Sequence, residues 1–136
     1  MCIRHSVPAC PPFGMGYVDV RDVADLHVRA MTDPVAAGER FLAVAGHSLR
    51  VVDVARILHD RLGERAAKVP TRELPVWLTR ALATVNPELR LLKHQLGRDL
   101  DATGAKAEKL LGWKARPIED TIADTAESLL AHGIGA

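Results

Sequence analysis

The sequence predicts an α/β fold, rich in helix, with a few short strands and about six helices. Three features predict it. Val18–Met31 reads as a strand running straight into an amphipathic helix, Phe41–Ala45 is an unbroken apolar run, and the remainder is a series of amphipathic stretches opened by proline or closed by glycine. A chain of 136 residues has room for one domain with a real core.

Residues 1–14 carry Pro8, Pro11 and Pro12 without periodicity, which predicts an irregular N-terminal segment. Residues 15–136 form the organised part. Met15–Val20 reads as a strand. Asp22 is the expected cap of the following helix, with Asp25 three residues on in a capping-box position. Val23, Leu26, His27, Ala30 and Met31 share one helical face, and Asp33-Pro34 stops the helix. Gly38 begins the return into a second strand, Arg40–Ala45. Ser48 is expected to cap a long helix, Leu49–Leu62, that Gly63 ends. Lys68–Pro70 reads as extended. Pro75 suits the first turn of a helix running to about Val85, and Pro87 starts another to about Gly97. Leu100–Ala102 is extended, and Thr103 caps a helix ending at Gly112. Pro117 opens the last helix, through His132, with Ile118, Ile122, Ala126, Leu129 and Leu130 as its core stripe. There is no internal repeat, low-complexity tract or linker.

Composition narrows the function classes. Apolar residues make up 48%, charged residues 26%, and the net charge is +1, which gives no electrostatic case for nucleic acid or an anionic membrane. No apolar run approaches the roughly 20 residues that span a bilayer. The first residues lack the apolar core of a signal peptide, so a cytoplasmic location is expected. Cys2 and Cys10 could pair but are read as reduced thiols.

A strand that is apolar on every residue, such as Phe41–Ala45, is usually buried on both faces of a parallel sheet. The strand–helix–strand order before it is the matching crossover. With so few strands, two readings follow: either the sheet is incomplete, or helices cover both faces of a very small one.

Six segments in order carry a resemblance. They are Gly16-Tyr-Val-Asp-Val-Arg-Asp-Val-Ala-Asp-Leu-His27, Gly38-Glu-Arg-Phe-Leu-Ala43, Asp53-Val-Ala-Arg-Ile-Leu58, Lys68-Val-Pro-Thr-Arg-Glu-Leu-Pro75, Lys106-Ala107 with Leu111-Gly-Trp113, and Thr125-Ala-Glu-Ser-Leu-Leu130. From about Pro12 to Ile134 the chain resembles the C-terminal part of extended short-chain dehydrogenase/reductases, in the NAD-dependent epimerase/dehydratase superfamily. It is most similar to the aldehyde reductase and dihydroflavonol-4-reductase-like branch. The resemblance implies that Arg40–Ala45 is the last strand of a Rossmann sheet and that the later helices form a substrate-binding lobe. It also implies hydride transfer between NADP or NAD and a small carbonyl or alcohol, with the cofactor held by an N-terminal half.

The residues that would carry that chemistry are not found here. Gly14-Met-Gly16 precedes a strand and lacks the third glycine of a dinucleotide-binding turn. The family's tyrosine–lysine pair has no counterpart: Tyr17 is followed four residues on by Arg21, but in a strand those side chains lie ~13 Å apart, and arginine does not replace the lysine. No catalytic, cofactor-binding or metal residue is assigned, and no cofactor is expected for this chain alone. Asp19, Asp22 and Asp25 read as helix-terminus acids rather than metal ligands. His27 reads as a packed residue on the apolar face. His5, His47, His59, His94 and His132 have no zinc-like spacing, and Tyr17 and Trp113 read as packing residues. Trp77 is the one candidate for a substrate pocket. A helix-turn-helix is excluded because the connection from Gly63 to Pro75 is too long.

Two functions follow. The chain is the substrate-lobe portion of an NAD(P)-dependent carbonyl reductase, inactive without a cofactor-binding half, or a stand-alone binding module derived from such a lobe. Self-association through the strand Arg40–Ala45 is expected where that strand lacks its sheet partners.

Overall fold

The segment from Ala9 to Met15 organises the fold, because its backbone groups are paired on several sides. The Cys10 N–H donates to the Arg72 carbonyl at 2.7 Å, and the Leu74 N–H donates back to Cys10 at 3.0 Å. The Pro12 carbonyl accepts from Gly97, the Phe13 carbonyl from Val51, and the Gly14 carbonyl from Leu100. Gly14–Met15 forms β1, which pairs antiparallel with β2, Leu49–Arg50, with Gly14 opposite Arg50. Proline removes donors from this stretch but leaves its carbonyls available, and distant segments supply the N–H groups. Ala9, Cys10, Pro12 and Phe13 are all buried. A proline-rich stretch without periodicity is thus packed rather than loose.

The computed structural model describes residues 9–85, 90, 94 and 96–134. Among them are five α-helices: α1 Val20–Thr32, α2 Val51–Leu62, α3 Val76–Val85, α4 Ala105–Leu111 and α5 Ile118–Ala131. The helix expected from Pro87 to about Gly97 falls largely outside the described residues, as does Cys2.

Four expectations need correction. The cap of α1 is Asp19, not Asp22: Asp19 sits in extended backbone and its carboxylate accepts from the Arg21 N–H at 2.8 Å. The helix therefore begins before the expected strand would have ended, and the strand shrinks to Gly14–Met15. Second, Arg40–Ala45 is not a paired strand. Among the described residues its one backbone hydrogen bond is Ala45 N–H to the Tyr17 carbonyl at 2.8 Å, a single rung where a strand needs a ladder. Third, Ser48 does not cap α2, whose cap position is Arg50. Leu49 and Arg50 are held extended by β1, so α2 starts at Val51. Fourth, Lys68–Pro70 is a turn, with Val69 N–H on the Ala66 carbonyl, and the bridge falls at Glu73.

Local chemistry explains the other helix ends. The Thr103 hydroxyl accepts from the Ala105 N–H at the start of α4, and Gly112 closes that helix in the left-handed region at φ +59°. Two clusters form the core. Leu26, Ala36, Ala107, Leu111 and Trp113 pack with Phe41 and Ala43 against them, and Cys10, Val52 and Ala55 pack with Val69. Helices α2 and α5 lie against each other, with exposed pairs such as Arg61–Asp120 at 2.9 Å across the seam.

Candidate functional site

The densest polar cluster lies where α1 begins. Asp19 and Asp22, one turn apart, are both buried, and a buried carboxylate persists only when paired. Asp19 receives the Arg21 Nε at 2.8 Å and Nη2 at 2.7 Å, besides the backbone N–H. Asp22 receives the Arg116 backbone N–H at 2.9 Å, its Nε at 3.0 Å and its Nη2 at 2.8 Å. The Asp22 carbonyl accepts from the Trp113 indole N–H at 2.9 Å, and Trp113 is 2% exposed. Arg21 also reaches Asp124 on α5. The cluster thus ties α1 to the segment 113–116 and to the last helix.

Its electrostatics oppose acid–base work. The Arg21 guanidinium holds the Asp19 carboxyl well below the usual carboxylate range, against the opposing effect of burial. Arg116 does the same for Asp22. A general base works best with a pKa near the operating pH, and these two are pushed the other way. Among the described residues no three His, Cys, Asp or Glu side chains are placed to hold a metal ion.

Beside the cluster, a cleft of about 260 Å³ opens between the 44–46 segment and α4, lined by Val44, Gly46, Thr103, Gly104, Trp113 and Lys114 among others. It is below the ~300–1,000 Å³ typical of ligand pockets. Gly104 shapes its floor: a Cβ there would meet the Val44 carbonyl oxygen at 2.8 Å and Trp113 Cζ3 at 3.0 Å.

The residues singled out from the sequence are scattered. Trp77, on α3, is 71% exposed and does not line this cleft. Tyr17 is half-buried in extended backbone, its carbonyl paired with Ala45. Gly14 and Gly16 serve close approach: a Cβ would meet Asp99 Oδ1 at 2.8 Å and Val44 Cγ1 at 2.9 Å, respectively. His27 is exposed, a correction to its expected packing; its Nδ1 lies 2.8 Å from the Val23 carbonyl of its own helix. Met31, expected on the same buried face, is exposed too. The Cys10 thiol is buried and donates to the Pro70 carbonyl at 3.0 Å. Arg116 is the participant that sequence reasoning missed, since 94 residues separate it from Asp22 and nothing local marks it.

No protein-family model matches the chain. The chain is 30% identical over 127 residues to a ketoreductase, azaE, of Aspergillus niger, covering 92% of this chain and 31% of that protein. It is 36% identical over 115 residues to the NADPH-dependent methylglyoxal reductase GRE2 of Saccharomyces cerevisiae, covering 85% of this chain and 29% of the relative. The chain therefore spans about a third of the length of these curated relatives. Among solved structures, gox2253 superimposes with a TM-score of 0.71 at 22% identity, over 97% of this chain and 42% of that one. Gre2 from Candida albicans gives 0.62 at 24% identity, over 90% and 32%. The likeness to the solved structures establishes the fold alone, a helix-rich arrangement with a short two-stranded sheet. By sequence the chain is similar to part of these two reductases, and by fold to part of the two solved structures.

Proposed function

We propose that this chain provides the substrate-lobe portion of a carbonyl reductase that uses NADP(H), and that hydride transfer requires a nucleotide-binding portion outside these residues. The observation that carries this reading is the 36% identity over 115 residues to an NADPH-dependent methylglyoxal reductase. The lowered carboxyl pKa values at Asp19 and Asp22 suit a structural role for these two side chains. The cofactor is NADP rather than NAD on the strength of that relative, and the substrate is a small carbonyl compound. Trp77 is the side chain proposed to border that substrate: a large aromatic surface, 71% exposed, is available for contact. A cytoplasmic location suits these partners; among the described residues no helix is long and apolar enough to cross a membrane. The segment Arg40–Ala45, which among the described residues makes one backbone hydrogen bond, is the proposed point of self-association.

A titration of the 136-residue chain with NADPH tests the reading. The fluorescence of Trp77 and Trp113 is expected to show no saturable change at micromolar cofactor. Saturable quenching, or turnover of methylglyoxal by this chain alone, overturns it.

A further inference from the structure

Helices α1, α2 and α4 each supply buried residues to a core cluster: Leu26 from α1, Val52 and Ala55 from α2, Ala107 and Leu111 from α4. Helix α5 supplies none to either cluster. Its buried residue is Ile122, while Ile118, Ala126, Leu129 and Leu130 are half-buried. The hydroxyl oxygen of Thr121 is shut off from solvent without a hydrogen-bond partner among the described residues, a desolvation cost that weakens the underside of the helix.

The polar side of α5 is organised differently. Asp120, Asp124 and Glu127 stand at i, i+4 and i+7 and share one stripe of the helix. Each meets an arginine from another element. Arg61 of α2 reaches Asp120 at 2.9 Å, Arg65 of the turn after α2 reaches Glu127 at 3.5 Å, and Arg21 of α1 reaches Asp124. The six side chains are between 49% and 59% exposed, so salt screens all three pairs. Every acid of the set is on α5 and every base is off it, so the pairs act together as one attachment.

We infer that α5 is a salt-released strap: exposed arginine pairs to α1, α2 and the turn after α2 hold it down, and rising ionic strength opens it ahead of the rest of the fold. An exposed pair of this kind changes an equilibrium by roughly a factor of two, so three of one polarity amount to about eightfold. The Debye length shrinks from about 30 Å at 0.01 M salt to about 3 Å at 1 M, and screening of the three pairs then raises the opening of α5 about fourfold. Opening uncovers Ile122 and the half-buried apolar stripe beside it. It takes Asp124 away from Arg21 but leaves Arg21 on Asp19, so the cap of α1 stays in place.

Amide hydrogen exchange of the 136-residue chain, read by mass spectrometry on peptides from Ile118–Ala131, tests this at about 10 mM and about 1 M potassium chloride. The α5 peptides are expected to lose about fourfold in protection, while peptides of α1 and α4 change by less than about twofold. Arg61→Gln with Arg65→Gln leaves the sequence of α5 untouched and removes two of the three pairs. At low salt this double variant is expected to lower α5 protection about fourfold and to lose most of the salt response. Arg65→Glu alone is expected to lower α5 protection, and adding Glu127→Arg to restore it, which a local disturbance of the turn would not do. Equal protection of α5 at the two salt concentrations, a loss shared equally by α1 and α4, or a charge swap that fails to restore protection overturns the inference.

Discussion

Replacing Gly104 with alanine separates two opposed physical effects by sign. Gly104 has φ −81° and ψ 5°, a backbone conformation open to any L-residue. On chain entropy alone, Gly→Ala at such a site stabilises by about 0.4–1 kcal/mol, by restricting the unfolded chain. The packing predicts the reverse. The new methyl group would sit 2.8 Å from the Val44 carbonyl oxygen and 3.0 Å from Trp113 Cζ3, with the Leu42 carbonyl at 3.5 Å. Two of these neighbours are backbone and the third is a ring locked in the core, so none can give way by a simple rotation. Overpacking of this kind costs about 1–3 kcal/mol. After the entropic gain the net loss is about 0.5–2 kcal/mol, or a Tm lower by about 2–8 °C in a domain of this size. Thermal unfolding followed by near-ultraviolet circular dichroism reads both the stability and the Trp113 environment. An unchanged or raised Tm would refute the packing assigned to the 42–44 segment.

Trp113→Phe keeps a ring in the core but leaves the buried Asp22 carbonyl without its indole N–H, and should cost about 1–3 kcal/mol in urea unfolding; an unshifted midpoint would rule out that hydrogen bond as a stabilising contact. Acid should weaken the α1 clamp in a defined direction. Asp19 and Asp22 titrate below their unfolded values, so their contribution is complete above about pH 4–5 and is lost as the pH falls towards the folded-state pKa values. Tm measured between pH 7 and pH 2.5 should therefore fall less steeply in the double variant Asp19→Asn/Asp22→Asn than in the parent chain, and equal slopes would contradict it. His27→Ala should change stability by less than about 0.5 kcal/mol, since the ring is exposed and contacts only its own helix; a larger loss, read by the same urea titration, would mean the ring is packed.

Much of the helical order was legible because its signals are local. Gly63, Gly112 and Gly133 stop helices at positive φ where the sequence places stops, and Pro75 and Pro117 stand just before α3 and α5. Trp113 was legible as a core residue. The errors arise where distant partners decide. Ser48 is a good cap by residue type, yet pairing of Leu49 and Arg50 with β1 keeps them extended and delays the helix. The buried pairing of Ala9–Met15 involves residues 49–51, 72–74 and 97–100, which no window around Pro11-Pro12 could reveal. The apolar run Phe41–Ala45 does identify a residue set with two apolar faces: Phe41 and Ala43 reach the core while Leu42 is 59% exposed. What the run could not convey is that, among the described residues, only one rung of its ladder is formed.

Asp19, Asp22 and Asp25 recur every third residue and look alike in the sequence, but the arginine that each hydrogen-bonds is different, and Asp19 also stands 3.6 Å from the Arg116 that Asp22 holds. Asp19 caps α1 and holds Arg21, Asp22 holds Arg116 from beyond α4, and Asp25 holds Arg29 within the helix at 2.8 Å. Asp22 holds Arg116 at hydrogen-bond distance while Asp19 stands 3.6 Å from the same guanidinium, so the Asp22 pair should carry the larger part of the coupling between α1 and the segment before α5. A double-mutant cycle with Asp22→Asn and Arg116→Gln isolates that coupling. If the pair acts as a clamp, either single substitution already breaks it, and the double variant loses less stability than the two single losses added together. Strict additivity would mean that the two side chains contribute separately and that α1 is held by its other contacts, such as Trp113, Arg29 on the Leu111 carbonyl and the apolar cluster. The corresponding cycle on Asp25 and Arg29, exposed and one turn apart, should give a coupling several-fold smaller. Three similar acids thus have unequal reach: Asp25 stays within α1, whereas Asp22 and, at 3.6 Å, Asp19 both face the distant Arg116.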